Sequence, residues 1–176
     1  LTAARLEAEA PPPLQAVDVA ALLRDLVEEF RVTGHALDLH MPPTAVVVQG
    51  RPDSLRRVFT NLVDNAFKHG VGPVQISIAQ HTGDSGDAVD VSVRDAGPGV
   101  PVEDRERIFE RFWRIDKNRQ TPGIGLGLSI VQGLVVACGG KVWTEAPDHG
   151  DGAVFRVRLR ATTPSLPADE LAPSSS

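Results

Sequence analysis

The sequence predicts an α+β fold, a two-layer α/β sandwich whose mixed, mostly antiparallel sheet is covered on one face by three helices. Three observations carry that expectation. Stretches of alternating apolar and polar residues, the period of a half-buried strand, come in pairs separated by short turns. Stretches with apolar residues three and four apart, the period of an amphipathic helix, interrupt these hairpins, which places the helices as one layer over the sheet. The chain has 176 residues, is 41% hydrophobic and contains no internal repeat, so one core of ordinary size is the natural outcome.

Asp18 is positioned to cap a helix over 18–30, where Val19, Leu22, Leu23, Leu26, Val27 and Phe30 fall at helical spacing. Residues 36–41 (A-L-D-L-H-M) and 45–49 (A-V-V-V-Q) read as strands separated by Pro42-Pro43. Pro52 and Asp53 open a second helix that runs to Lys68, just before Gly70. Residues 74–80 and 88–94 alternate as strands around a hairpin rich in Gly and Asp. A polar segment punctuated by Pro and Gly follows over 97–123. Residues 126–138 form a third helix, stopped by Gly139-Gly140, and residues 141–145 and 153–160 make a closing hairpin.

The 16 glycines and 14 prolines are enough to break structure often, though far too few for a low-complexity chain. Both ends read as detachable. Pro11-Pro12-Pro13 is a stiff break after a short stretch rich in Leu, Ala, Arg and Glu, and residues 161–176 hold three Pro and four Ser, the composition of a disordered tail. The formal charge of −5, from 18 basic and 23 acidic residues, argues against a nucleic-acid binder that works by bulk attraction. Cys138 is the single cysteine, so there is no intramolecular disulfide and no cysteine-based zinc site. No apolar run approaches the roughly 20 residues of a membrane span, and Leu1 is not an initiator Met, so the chain is expected to be a soluble fragment.

Three groups of residues have chemical potential. On the second helix Leu55, Phe59, Leu62 and Ala66 share one face, while Asn61, Asn65 and Lys68 share another. Two amides and an ammonium on one stripe suit a hydrated Mg²⁺ with phosphates; a solvated helix face is the plainer alternative. Asp95-Ala96-Gly97-Pro98-Gly99 follows a strand and offers a carboxylate that can accept from an exocyclic amine, with glycines that let backbone approach a ligand; an ordinary turn has the same composition. Gly123-Ile124-Gly125-Leu126-Gly127-Leu128-Ser129 opens an apolar helix and exposes N–H groups to an anion, or else serves as a hinge with packing glycines. It is neither a Walker loop, lacking Gly-Lys-Ser/Thr, nor a dinucleotide fingerprint.

In combination, these groups resemble the ATP-binding domain of sensor histidine kinases, in the superfamily shared with type II topoisomerases, mismatch-repair ATPases and the 90-kilodalton chaperone. The resemblance covers residues 17–160 in the family's order and spacing. Asn61-Leu62-Val63-Asp64-Asn65-Ala66-Phe67-Lys68-His69 looks like its N box, Asp95 to Gly99 like its G1 box, Phe109-Glu110-Arg111-Phe112 like its F box and Gly123 to Leu128 like its G2 box.

That likeness implies roles. Asn65 would coordinate Mg²⁺ and Asp95 would accept from the adenine amino group. Lys68 and Arg114 would contact phosphates. Gly97, Gly99, Gly123, Gly125, Leu126, Gly127 and Leu128 would line the nucleotide, with His69 against it. Asn61 stands where the chaperone and topoisomerase relatives carry a water-activating Glu. An amide cannot take a proton from water, which favours phosphoryl transfer to another nucleophile over hydrolysis. Residues 101–122, with six basic and five acidic side chains, would form an ATP lid, poorly ordered without nucleotide, with Phe109 and Phe112 packing against the body or the dimerisation domain. Two departures from the family pattern stand out: Thr121-Pro122 ahead of Gly123-Ile124, and Gly150-Asp151-Gly152-Ala153 in place of a usual Gly-Ser/Thr stretch.

The family's phosphorylated histidine lies at the start of a helix ahead of the N box, and none of His35, His40, His81 or His149 has that context. The expected organisation is therefore the end of a dimerisation-domain helix and linker (1–16), the ATP-binding catalytic domain (17–160) and a tail (161–176). Implied partners are the dimerisation and phosphoacceptor domain of the same kinase and a response regulator, with no nucleic acid. The parent would be a homodimeric inner-membrane sensor, and the fragment cytoplasmic and monomeric. The rival readings are an anti-sigma factor serine kinase, which would lack the Phe-containing lid, and a non-catalytic nucleotide-binding scaffold.

Overall fold

The structure, a computed structural model, describes residues 11–83, 86–113 and 126–162. The chain begins with strand β1 (Gln15–Asp18) and helix α1 (Val19–Val32), followed by strands β2 (Leu37–His40) and β3 (Val47–Gly50). Helix α2 (Pro52–His69) leads to the hairpin β4 (Val74–His81) and β5 (Ala88–Arg94). Two 3₁₀ turns, Val102–Asp104 and Arg107–Phe109, precede α3 (Gly127–Ala137), and β6 (Lys141–Glu145) and β7 (Val154–Arg160) close the fold. β2, β4, β5, β7 and β6 form a five-stranded sheet in that order, parallel only between β2 and β4.

The expected single sheet is in fact two. β3 pairs antiparallel with β1, Val48 opposite Val17, in a separate ribbon, which is linked to the end of β7 by an isolated bridge from Val48 to Ala161 and by the Thr162 N–H donating to the Val47 carbonyl at 3.0 Å. β1 has no counterpart in the sequence pattern: it is four residues long and only Val17 is fully buried, which is too little alternation to register as a period.

Local chemistry fixes the helix ends. Asp18 Oδ1 accepts from the N–H groups of Ala20 (3.0 Å) and Ala21 (3.1 Å), satisfying two donors that the first turn leaves without partners. The same oxygen accepts from Val46 N–H at 3.4 Å, which fastens the start of α1 to the approach of β3. α2 has Pro at its start, Asp53 in its first turn and Lys68 and His69 in its last, an arrangement aligned with the helix dipole. Arg51, just ahead of α2, donates to the Ala137 carbonyl (2.8 Å) and to that of Pro12, so it joins the incoming chain to the end of α3.

α2 lies between α1 and α3 on one face of the sheet. Leu55, Phe59, Leu62 and Ala66, the face assigned from their spacing, are buried against Val131 and Val135 of α3 and against Ile76, Val91 and Val93 of the sheet. Removing a ring such as that of Phe59 from this layer costs about 3–5 kcal/mol. With that face committed to the core, the opposite stripe of α2 is available to a ligand. No helix among the described residues is long and apolar enough to cross a membrane.

The other face of the sheet carries no helix among the described residues and is polar. Asp90, 3% exposed, is held there by both arms of Arg158 (2.7 Å each) and by His81 Nε2 (3.0 Å). Burial alone would raise the Asp90 pKa, but the Arg158 hydrogen bonds and charge, with His81, outweigh it and hold the carboxyl below its usual range. Arg156 links Ser92 Oγ (3.1 Å) to Glu145, whose other oxygen accepts from Trp143 Nε1 (3.1 Å).

Candidate functional site

α2 is the common wall of the site. Asn61, Asn65 and Lys68 lie along it, and from Asn61 to His69 the axis runs about 12 Å at the standard rise per residue. Asn61 and Asn65 are half-buried while Lys68 and His69 are exposed, so the stripe faces outward as the spacing requires. The Asn61 side-chain amine donates back to the Arg57 carbonyl at 2.8 Å. That bond fixes which end of the amide points away: Asn61 Oδ1 lies 3.5 Å from where a Cβ on Gly127 would stand, so the first residue of α3 sits directly against it. α3 opens at Leu126 with no side-chain cap, which leaves its first N–H groups to other partners, while Ser129 Oγ donates to the Leu126 carbonyl (3.0 Å).

The loop after β5 meets the C-terminal end of α2. A Cβ on Gly97 would stand 2.6 Å from the His69 carbonyl oxygen and 2.8 Å from Gly70 Cα, and one on Gly70 would stand 2.5 Å from Asp95 Cβ. Only glycines permit this approach of backbone to backbone. Asp95 is consequently 5% exposed. Its Oδ1 accepts from Gly97 N–H (2.9 Å) and Ala153 N–H (3.4 Å), and its second oxygen has no hydrogen-bond partner among the described residues. A buried carboxylate with one oxygen tied and the other unused is positioned to accept from a ligand. Gly99 adopts φ 76° and closes the loop against the Gly152 carbonyl.

The sequence-derived residues thus divide. Asn61, Asn65, Lys68, His69, Asp95, Gly97, Gly99, Leu126, Gly127 and Leu128 lie on α2, on the loop at its end and on the start of α3. Arg114, Gly123 and Gly125 lie outside the described residues, as does the rest of the lid from 114 onward. In the described part of the lid, Phe109 and Ile108 are buried, whereas Phe112 is 68% exposed with φ 64°, an uncommon backbone conformation for a bulky residue. The Arg107 guanidinium stacks 3.5 Å over the Trp113 ring, whose Nε1 is buried without a partner among the described residues. Spacing alone missed Gly70, Gly152 and Ala153, which shape the Asp95 side of the site; the available signal was the Gly-Asp-Gly run before the last strand.

Fold and site together define a nucleotide-binding domain with a sheet on one side and a helical wall on the other. Residues 50–163 match the family described as histidine kinase-, DNA gyrase B- and HSP90-like ATPase. The chain is 38% identical over 174 residues to a probable sensor histidine kinase of Mycobacterium tuberculosis (strain CDC 1551 / Oshkosh), covering 98% of this chain and 44% of that protein. It is 37% identical over 155 residues to the sensor histidine kinase component HK1 of M. tuberculosis (strain H37Rv), covering 88% of each. Among solved structures, the mycobacterial sensor histidine kinase MprB superposes with a TM-score of 0.68 at 27% identity, covering 84% of this chain and 97% of that one. Full-length ShkA in complex with AMPPNP superposes with a TM-score of 0.71 at 31% identity, covering 88% of this chain and 32% of that one. The chain belongs to this ATPase family, as an ATPase domain of the sensor histidine kinase type. It spans less than half the length of the first relative and 34% of the adaptive-response sensory kinase SasA of Trichormus variabilis.

Proposed function

We propose that the chain is the ATP-binding catalytic domain of a two-component sensor histidine kinase, and that it presents Mg-ATP to a histidine on a dimerisation domain outside this chain. The observation that carries the reading is Asp95, buried at the end of α2 with one oxygen unused, on the same wall as Asn65, Lys68 and His69. In this reading the unused oxygen accepts from the adenine amine, and the triphosphate runs along α2 towards Asn61 and the start of α3. Lys68 and Arg114 meet the phosphates. The first N–H groups of α3, at Gly127 and Leu128, add the positive end of a helix dipole, and Gly123, Gly125 and Leu126 line the nucleotide.

Mg²⁺ fits the donors at hand. Asn65, half-buried on the outward stripe of α2, offers an amide oxygen that would share the ion with phosphate oxygens and water. The ion's chemistry is to neutralise charge on the phosphates. Asn61 cannot deprotonate water, and its amide is already turned by the bond to Arg57, so the site positions ATP without activating a hydrolytic nucleophile. The acceptor imidazole supplies that nucleophile: its nitrogen attacks the γ-phosphorus in line, the bond to the ADP oxygen breaks, and ADP leaves. The phosphoryl group then passes to an Asp of a response regulator. The catalytic body is residues 17–160, with β1 reaching back to Gln15 and a non-catalytic tail from 161; the parent is a homodimeric inner-membrane sensor whose kinase domain is cytoplasmic.

The test is to mix the chain, Mg-ATP and a folded dimeric protein carrying the dimerisation domain. Acid-labile phosphorylation of that partner's histidine is expected. Mg-ATP binding with no transfer to a correctly folded dimer would instead identify a scaffold.

A further inference from the structure

The loop between β6 and β7 is bound to Asp95 wherever the two approach. Asp95 N–H donates to the Ala153 carbonyl at 3.1 Å, and Ala153 N–H donates to Asp95 Oδ1 at 3.4 Å. Between them Gly152 adopts φ 119°, and a Cβ there would stand 1.9 Å from the Asp95 carbonyl oxygen and 3.0 Å from Ala96 Cα. These are backbone atoms, so nothing flexible can yield. The loop is also anchored from outside: Arg94 Nη2 donates to the His149 carbonyl at 2.6 Å, and a Cβ on Gly150 would lie 3.5 Å from the same nitrogen. Arg94 and Asp95 are neighbours in the chain, so one anchors the front of the loop and the other its back.

The plane of the Asp95 carboxylate is set by the two N–H groups on Oδ1, from Gly97 and Ala153. The Ala153 N–H is only as fixed as its loop. A hydrogen bond weakens steeply as its angle closes, so a small rotation of that plane would misdirect the other oxygen. We propose that Arg94 and Gly152 are positioning residues for recognition of the purine 6-position: neither touches the base, and together they hold the loop that aims Asp95. The inference rests on the reading of Asp95 as the acceptor for an exocyclic amine.

The test compares affinities for ATP and inosine triphosphate, which share sugar and phosphates and differ in a 6-amino against a 6-oxo group. The wild-type chain should prefer ATP by about tenfold or more, because a site built for a hydrogen-bond donor rejects the ligand lacking it. Gly152→Ala and Arg94→Ala should each cut that ratio by about threefold or more, through weaker ATP binding with inosine triphosphate little changed. Arg94→Lys, which keeps one donor for the His149 carbonyl, should restore most of the ratio. A purely structural role would weaken both nucleotides equally and leave the ratio intact, and that result overturns the proposal. Should Gly152→Ala not fold, Arg94→Ala and Arg94→Lys decide alone. A wild-type chain without preference would refute the Asp95 reading and this inference with it, whereas a preference that survives in the variants refutes only the positioning.

Discussion

Asp95 and Ala153 exchange two hydrogen bonds, the backbone N–H of Asp95 to the Ala153 carbonyl and the backbone N–H of Ala153 to the Asp95 carboxylate, across 58 positions of sequence. The end of β5 and the start of β7 are thereby fixed to each other, and the pair gives Asp95 a defined orientation at the end of α2. Asn61, Asn65, Lys68 and His69 lie along that helix.

Asn65 carries the proposed link between site and metal. If its amide oxygen is the protein's contribution to a shared Mg²⁺, ATP affinity of the wild-type chain should fall when EDTA replaces Mg²⁺, and Asn65→Ala should abolish that difference. Isothermal titration in both buffers measures it. An Asn65→Ala chain with a wild-type response to Mg²⁺ would remove Asn65 from the metal site.

Stability should fall in acid through Asp90. Its folded pKa is depressed below the ordinary value of 3.8, so the stabilisation it confers is fully present above that value and is lost as pH falls through the lower, folded pKa. Arg158→Met removes the partner that outweighs burial. Urea unfolding at pH 7 should show a loss of about 1–3 kcal/mol, because a buried carboxylate then keeps His81 alone as a partner among the described residues. The same variant should show a shallower acid-dependent slope below pH 4, keeping the part that Glu145 contributes, whose carboxyl Arg156 and Trp143 hold below its ordinary range against burial. An unchanged slope would mean that Asp90 does not govern it.

Asp18 closes three donors at once, two in the first turn of α1 and one at Val46. Asp18→Ala should lower the unfolding free energy by about 0.5–2 kcal/mol, as losing a helix cap does, while leaving nucleotide affinity unchanged. Denaturant unfolding and calorimetry on one sample read both. A loss of ATP affinity would place α1 in the binding apparatus.

The main sheet and helices were legible because their periods are long. Strand β5 falls where V-D-V-S-V alternates, and the buried face of α2 is the one its spacing marks. β1 escaped because its partner is some thirty residues away and its four residues contain one buried apolar side chain. The 3₁₀ turns in the lid carry no periodicity at all. At the candidate site, Asn61, Asn65, Lys68 and Asp95 drew notice because their side chains have chemistry to offer. Gly70 and Gly152 were not, since what matters at each is the backbone that occupies the place of a Cβ, and that neighbour is set by tertiary folding. Likewise, nothing local in β5 or β7 pairs Asp90 with Arg158.

The most direct measurement is ATP affinity in Asp95→Asn. Oδ1 already accepts two backbone N–H groups, so an isosteric amide keeps its oxygen there and places its NH₂ where the carboxylate had a free oxygen. A donor would then face the adenine amine. Titration calorimetry should find ATP weakened by about tenfold or more in a chain whose fold and melting are little altered, with inosine triphosphate, whose 6-oxo group accepts, weakened less or bound more tightly. Unchanged ATP affinity in Asp95→Asn would contradict the assignment of this loop and helix as the adenine site.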